Sequence, residues 1–187
     1  MDGFLLAMLL VAALAMGGRD QRMVALWADR LGQSGPLLAV ALGCACLSAA
    51  VMAWVGAEFA SLLPRRASQM LVAFALALAA GELLLPVRLK EPKEPTRSLP
   101  VLAVELLARQ IGDGARFAVF ALAAWSVWPL TAGLGGAIGG AAAVGIAWAA
   151  GAETLARWPL RLLRIALAIG LVIAALFIGL NARFAAL

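Results

Sequence analysis

The chain has 187 residues, 65% of them hydrophobic and only 13% charged, with a mean hydropathy of +1.00. Soluble domains hold about 45–50% apolar and about 25% charged residues, so this composition excludes an ordinary soluble domain and points to an integral membrane protein. The formal net charge of +5 calls for no nucleic acid, because the basic residues mostly flank apolar stretches, as the positive-inside bias alone requires. There is no histidine, which excludes imidazole metal centres and histidine-based catalysis. No nucleophile-base constellation points to an enzyme, no cofactor is expected, and any proton chemistry falls to carboxylates.

In chain order, the opening stretch up to Gly18 has the outline of a signal peptide with Ala13-Leu14-Ala15 as cleavage site. Its n-region holds Asp2 and no basic residue, contrary to such peptides, so the segment is expected to be retained as structure. Phe4 to about Leu31 reads as helix one, broken or kinked at Gly17-Gly18. A turn over Gly32-Gln33-Ser34-Gly35-Pro36 leads to helix two, Leu37 to Leu63, rich in the small residues that let membrane helices approach closely. Its two cysteines, Cys44 and Cys46, point about 200° apart on a helix and so pack rather than clamp a metal or form a disulfide. Helix three runs from Ala67 to Leu85, and its one acid, Glu82, is expected to snorkel to the interface near Pro86. Arg88 to Ser98 is polar and proline-rich, a semi-rigid extended linker. Helix four then spans Pro100 to Ser126, helix five Leu130 to Ala156, and helix six Leu160 to Phe184. The glycines of helix five read as close packing, since no lysine-serine/threonine follows to make a phosphate loop.

Helices one and four carry ionisable residues where a bilayer would be most apolar. In the first, Gly17-Gly18-Arg19-Asp20-Gln21-Arg22 lies between two apolar half-helices, and in the second, Arg109, Gln110, Gly112, Asp113 and Arg116 lie within Leu107 to Ala124. Charges at that depth mark a pocket or an ion pathway. The two polar knots are related by an internal repeat: Gly17 maps to Gly112, and Gly56-Ala57-Glu58 with Pro64 and Arg66 maps to Gly151-Ala152-Glu153 with Pro159 and Arg161, at a constant offset of 95. Three spans per half force the second half to enter the membrane in the opposite sense.

The expected fold is therefore an all-α integral membrane protein with six transmembrane helices as two inverted three-helix repeats, residues 1–87 and 100–187, joined by a charged proline-rich cytoplasmic linker over residues 88–99. Inverted repeats with broken helices are the plan of many secondary transporters, with the site near the midplane between the halves. One side of the membrane collects Arg30, Arg88, Lys90, Lys93, Arg97, Arg157, Arg161 and Arg164, and the other only Arg65, Arg66 and Arg183. That split puts the linker inside and both termini outside, in a multi-pass protein expected in the bacterial inner membrane. Glu58 and Glu153 then sit near opposite faces, as symmetric helix-end residues or as paired gate contacts.

At the two knots the sequence resembles the Golgi-type calcium/manganese-proton exchanger family, that of transmembrane protein 165 and its bacterial relatives. That family has two three-helix halves, each bearing E-x-G-D-K/R-S/T. The copies here are Ala15-Met16-Gly17-Gly18-Arg19-Asp20-Gln21 and Gln110-Ile111-Gly112-Asp113-Gly114-Ala115-Arg116. Gly17, Arg19 and Gln21 are kept in the first, and Gly112 and Asp113 in the second. Ala15, Gly18 and Gln110 stand where the family has acids, and Asp20 is an acid displaced by two positions. The resemblance implies exchange of Mn2+ or Ca2+ against protons across the lipid bilayer, with Asp113 as metal ligand and proton acceptor, Asp20 and Gln110 supplementing it, and Gln21 giving an amide oxygen. Arg19, Arg22, Arg109 and Arg116 against Asp20 and Asp113 give the centre a formal +2, so aspartate-arginine pairing across the halves is expected. Two other functions fit the same residues: export of an anionic or zwitterionic solute held by Arg19 and Arg116, or a membrane scaffold whose ion pairs hold two bundles together.

Overall fold

The computed structural model describes residues 2–87 and 98–184. The proline-rich linker, with Arg88, Lys90, Lys93 and Arg97, lies outside the described residues except for its last positions. A chain this apolar satisfies its backbone internally, and the described residues are helical with no strand. In order the helices are α1 (Asp2–Ala15), α2 (Arg19–Leu31), α3 (Gly35–Leu62), α4 (Arg65–Leu84), α5 (Leu99–Gln110), α6 (Gly114–Trp125), α7 (Pro129–Ala156) and α8 (Leu160–Phe184). Proline opens α3, α5 and α7 in their first turns, where a missing amide costs nothing.

Four of these helices, α3, α4, α7 and α8, are long and apolar enough to cross a membrane, and α1 with α2 makes a fifth candidate bent by 62° at its break. Leu47, Trp54, Phe74, Ile169, Ile173 and Phe177 project outward from α3, α4 and α8, an apolar exterior suited to lipid in a multi-pass protein. The bend in helix one falls at the predicted glycines, and Gly17 takes a φ of +74° that a side chain rarely adopts. Helix four, expected as one run, is divided into α5 and α6. Asp113 there has extended backbone angles (φ −89°, ψ 138°) that end one helix and start the next. Helix five also departs from regularity, because Gly151 has a φ of +74° inside α7. Asp29 at the end of α2 accepts the amide of Ala152 just beyond that kink, at 2.8 Å.

Nearly all the extensive packing joins the first half of the chain to the second. α1, α2 and α3 lie on α7, α4 lies on α8 and α6, and α3 lies on α6, while within a half the packing is slight between α3 and α4. The glycines of α7 explain how closely the helices approach. A Cβ on Gly135 or Gly139 would collide with the α1 carbonyls of Phe4 and Met8, and one on Gly136 would sit 2.5 Å from the Val119 side chain of α6. Gly56 of α3 meets the Phe120 backbone of α6 in the same way. Two apolar cores result: Val11, Leu14, Ala79, Ala115 and Val119 belong to one, and Met23, Trp27, Leu102, Leu106 and Val144 to the other. The helix breaks fall where the two cores meet.

Candidate functional site: buried charges at the two helix breaks

At the first break, Gly17 donates its amide to Gln21 Oε1 at 2.6 Å. Gln21 Nε2 donates in turn to the Ala143 carbonyl of α7 at 3.2 Å and lies 3.0 Å from Met16 Sδ. Gln21 thus closes the break against α7. A Cβ on Gly17 would press on Leu160 and Arg164 of α8, so glycine serves both the backbone angle and the contact.

At the second break, Asp113 occupies the N-cap position of α6. A capping aspartate normally accepts an amide of the first turn. Asp113 does not: neither of its carboxylate oxygens has a hydrogen-bond partner, although the residue is only 3% exposed. The Gly114 amide is taken instead by Glu82 Oε2 of α4, at 3.3 Å. Gly114 permits this, because a Cβ there would lie 3.0 Å from the Ala79 carbonyl. Gly112, its neighbour in the predicted knot, is exposed, has no positive φ and touches nothing within 4 Å of where its side chain would be.

The two breaks come together through Asp20. Arg116 Nη2 stands 3.9 Å from Asp20 Oδ2, an ion pair wholly inside the protein. Gln110 lies beside it. In one amide orientation its nitrogen donates to Asp20 Oδ2 at 3.3 Å. In the other, the nitrogen donates to Ser48 Oγ (2.8 Å) and the Cys44 carbonyl (3.0 Å) while the oxygen accepts from Arg116 Nη2 (3.3 Å), which satisfies both ends of the amide. Arg116 Nε donates to Ser48 Oγ at 2.6 Å, and Gly140 of α7 leaves room for the guanidinium.

A second pair completes the cluster. Glu82, expected to snorkel, is buried and accepts from Arg164 Nη2 of α8 at 3.3 Å through both carboxylate oxygens. Arg164 also donates to the Glu82 and Leu83 carbonyls that end α4. Arg19 approaches Glu82 from the side at 3.6 Å, with 37% of its side chain exposed. Opposite charge and two guanidinium bonds to its carboxylate make the interior cheaper for Glu82 than a reach to the interface. Asp113 is within electrostatic reach of Asp20, Glu82, Arg116 and Arg164.

The predicted site residues are thus distributed unevenly. Asp20, Gln21, Gln110, Asp113 and Arg116 share one buried region, Gly17 forms its hinge, Arg19 stands at its edge and Gly112 faces out. The expected aspartate-arginine pair is made by Asp20, not Asp113. The expected +2 is also revised. Arg109 pairs with Glu105 at 2.8 Å on its own helix and Arg22 faces a separate cavity. The buried centre holds Asp20, Glu82 and Asp113 against Arg116 and Arg164, three negative and two positive, or −1. Arg164, counted above among loop charges, belongs to this interior. Among the described residues no three acidic or cysteine side chains converge to hold a metal ion, and Asp20 and Glu82 are each paired with an arginine.

Glu82, Arg164 and Ser48 were missed from sequence. Glu82 and Arg164 are charges of opposite sign set inside the ends of helices three and six, and that was the available signal. No family model, no curated protein and no solved structure matches the chain.

Proposed function

We propose that the chain is a proton-coupled secondary transporter of the bacterial inner membrane, working by alternating access between two inverted three-helix halves. In this reading α1–α2 and α5–α6 are two broken spans, and α3, α4, α7 and α8 complete six. The observation that carries it is Asp113, a buried carboxylate with no partner at the point where both breaks meet. Such a group can gain or lose a proton or a cation without breaking a protein hydrogen bond, whereas a scaffold would hold it in a closed pair.

Two cavities support the alternating geometry. One, of about 480 Å³, is lined by Leu155, Trp158 and Leu160 together with residues of α2. The other, of about 540 Å³, is lined by Ala60, Leu63 and Arg65 together with the end of α6. These three pairs of positions are each 95 apart, the offset of the repeat. In an inverted duplication they open toward opposite faces with the buried charges between them.

A single free carboxylate suits a proton or a monovalent cation. Mn2+ or Ca2+, the cargo implied by the resemblance to the calcium/manganese exchangers, would need Asp20 and Glu82 released from Arg116 and Arg164 to build an oxygen shell. Export of an anion held by Arg116 is less favoured, since that guanidinium is committed to Ser48 and Asp20.

The test is proton flux in proteoliposomes loaded with a pH-sensitive dye and given manganese, calcium, sodium or potassium outside. At least one cation is expected to drive flux that disappears in a folded Asp113→Asn variant. Flux that survives the substitution, or no flux with any ion, would reject the reading.

A further inference from the structure

The cavity beside α2 carries a charge pattern that the buried site does not use. It lies between the first turns of α2, the end of α7 and the start of α8, and its walls include Arg22, Arg161, Trp158, Leu26, Leu155 and Leu160. Neither Arg22 nor Arg161 makes a hydrogen bond or an ion pair among the described residues. Neighbouring Arg157, by contrast, is engaged by Glu153. Arg164 faces Arg22 from α8 closely enough to repel it, and its own counter-charge, Glu82, is already shared with Arg19. Two uncompensated guanidiniums therefore converge on one space whose volume, about 480 Å³, is in the range of small-molecule sites.

Guanidinium forks bind phosphate through paired, charge-assisted bonds. The rest of the wall is apolar, and Trp158 is 38% exposed at a helix end beside Arg161, the combination found at the headgroup level of a bilayer. Basic pockets between membrane helices take anionic headgroups. We propose that this cavity binds a phosphate anion between Arg22 and Arg161, with the headgroup of an anionic phospholipid as its expected source. The cavity also adjoins the first helix break, because Leu160 lines it and is the side chain that a Cβ on Gly17 would meet first, at 3.1 Å. The inference depends on the chain's lying in a membrane and not on its transporting anything.

Thermal unfolding of the full chain in neutral detergent, followed by tryptophan fluorescence, tests this with four additions: phosphatidylglycerol, phosphatidylcholine, glycerol phosphate and inorganic phosphate. Phosphatidylglycerol is expected to raise the midpoint by several degrees and phosphatidylcholine not to. Arg161→Gln should weaken the apparent affinity by about tenfold, the usual weight of one charge-assisted bond. Arg22→Gln with Arg161→Gln should abolish the shift. Stabilisation by phosphatidylglycerol but by neither soluble phosphate assigns a lipid headgroup, and stabilisation by the soluble phosphates as well assigns a free phosphate anion; both uphold the site. Equal effects of the two lipids, or a shift unchanged in Arg161→Gln, overturn it. Arg161 is exposed and makes no contact on which folding would depend, so the single variant decides even if the double one fails to fold.

Discussion

Asp20 and Asp113 are both buried aspartates, yet substitution should destabilise the protein at one and not at the other. Asp20 balances Arg116, which has no exposure and leaves Nη1 without a partner even in the intact protein. Asp20→Asn should therefore leave a buried guanidinium uncompensated and lower stability by about 3–5 kcal/mol, and Arg116→Gln added to it should restore part of the loss. Asp113→Asn removes no hydrogen bond and no ion pair within 4 Å, so its unfolding midpoint should stay near that of the parent protein. Thermal unfolding of the three variants in one detergent checks both statements. A collapse of Asp113→Asn would mean that its long-range attraction to Arg116 and Arg164 outweighs its repulsion by Asp20 and Glu82.

At the scale of elements, the glycines divide into those that are needed and those that are not. Gly17 combines a positive φ with a site where an added Cβ would lie 3.1 Å from Leu160, so Gly17→Ala should cost about 1–3 kcal/mol, the usual range for a strained backbone position. Gly139→Val should force α1 away from α7, and overpacking of this kind typically costs about 1–3 kcal/mol or more. Gly43 lies on the exposed side of α3 with nothing near its missing side chain. Gly43→Ala should leave stability unchanged or raise it by up to about 1 kcal/mol. Unfolding midpoints of the three variants rank them. Equal effects would mean that helix propensity, and not approach of α7 to its neighbours, sets the requirement for glycine.

For the whole molecule, the interlocking of the halves has a direct consequence. α4 finds its main partners in α8 and α6, and α1 finds its own in α7, so neither half can bury its small-residue faces alone. A chain divided within the linker should yield two fragments that are degraded when made separately and that copurify when made together. A first half that is stable by itself would contradict this. The proposed topology is checked separately: a reporter cysteine at position 93, in a background without Cys44 and Cys46, should be labelled from the cytoplasmic side only.

The sequence by itself determined an all-helical chain apolar enough to suit a membrane, the places of the long apolar helices to within a few residues, and the glycine break in the first of them. These features depend on local composition and periodicity, which a single chain displays directly. It also indicated that Asp20, Gln110, Asp113 and Arg116 stand at special depth, because charge inside an apolar run is costly wherever that run packs. Partner choice was not legible. Whether Arg116 meets Asp20 or Asp113 depends on how α6 is set against α2 and α3, a matter of ångströms fixed by Gly140, Ser48 and the close contact at Gly56. Glu82 and Arg164 are separated by 82 residues and read singly as interface charges. Only the packing of α4 along α8, which sets the end of one beside the start of the other, makes them a buried pair, while Asp113 is left as the one carboxylate of the cluster without a donor.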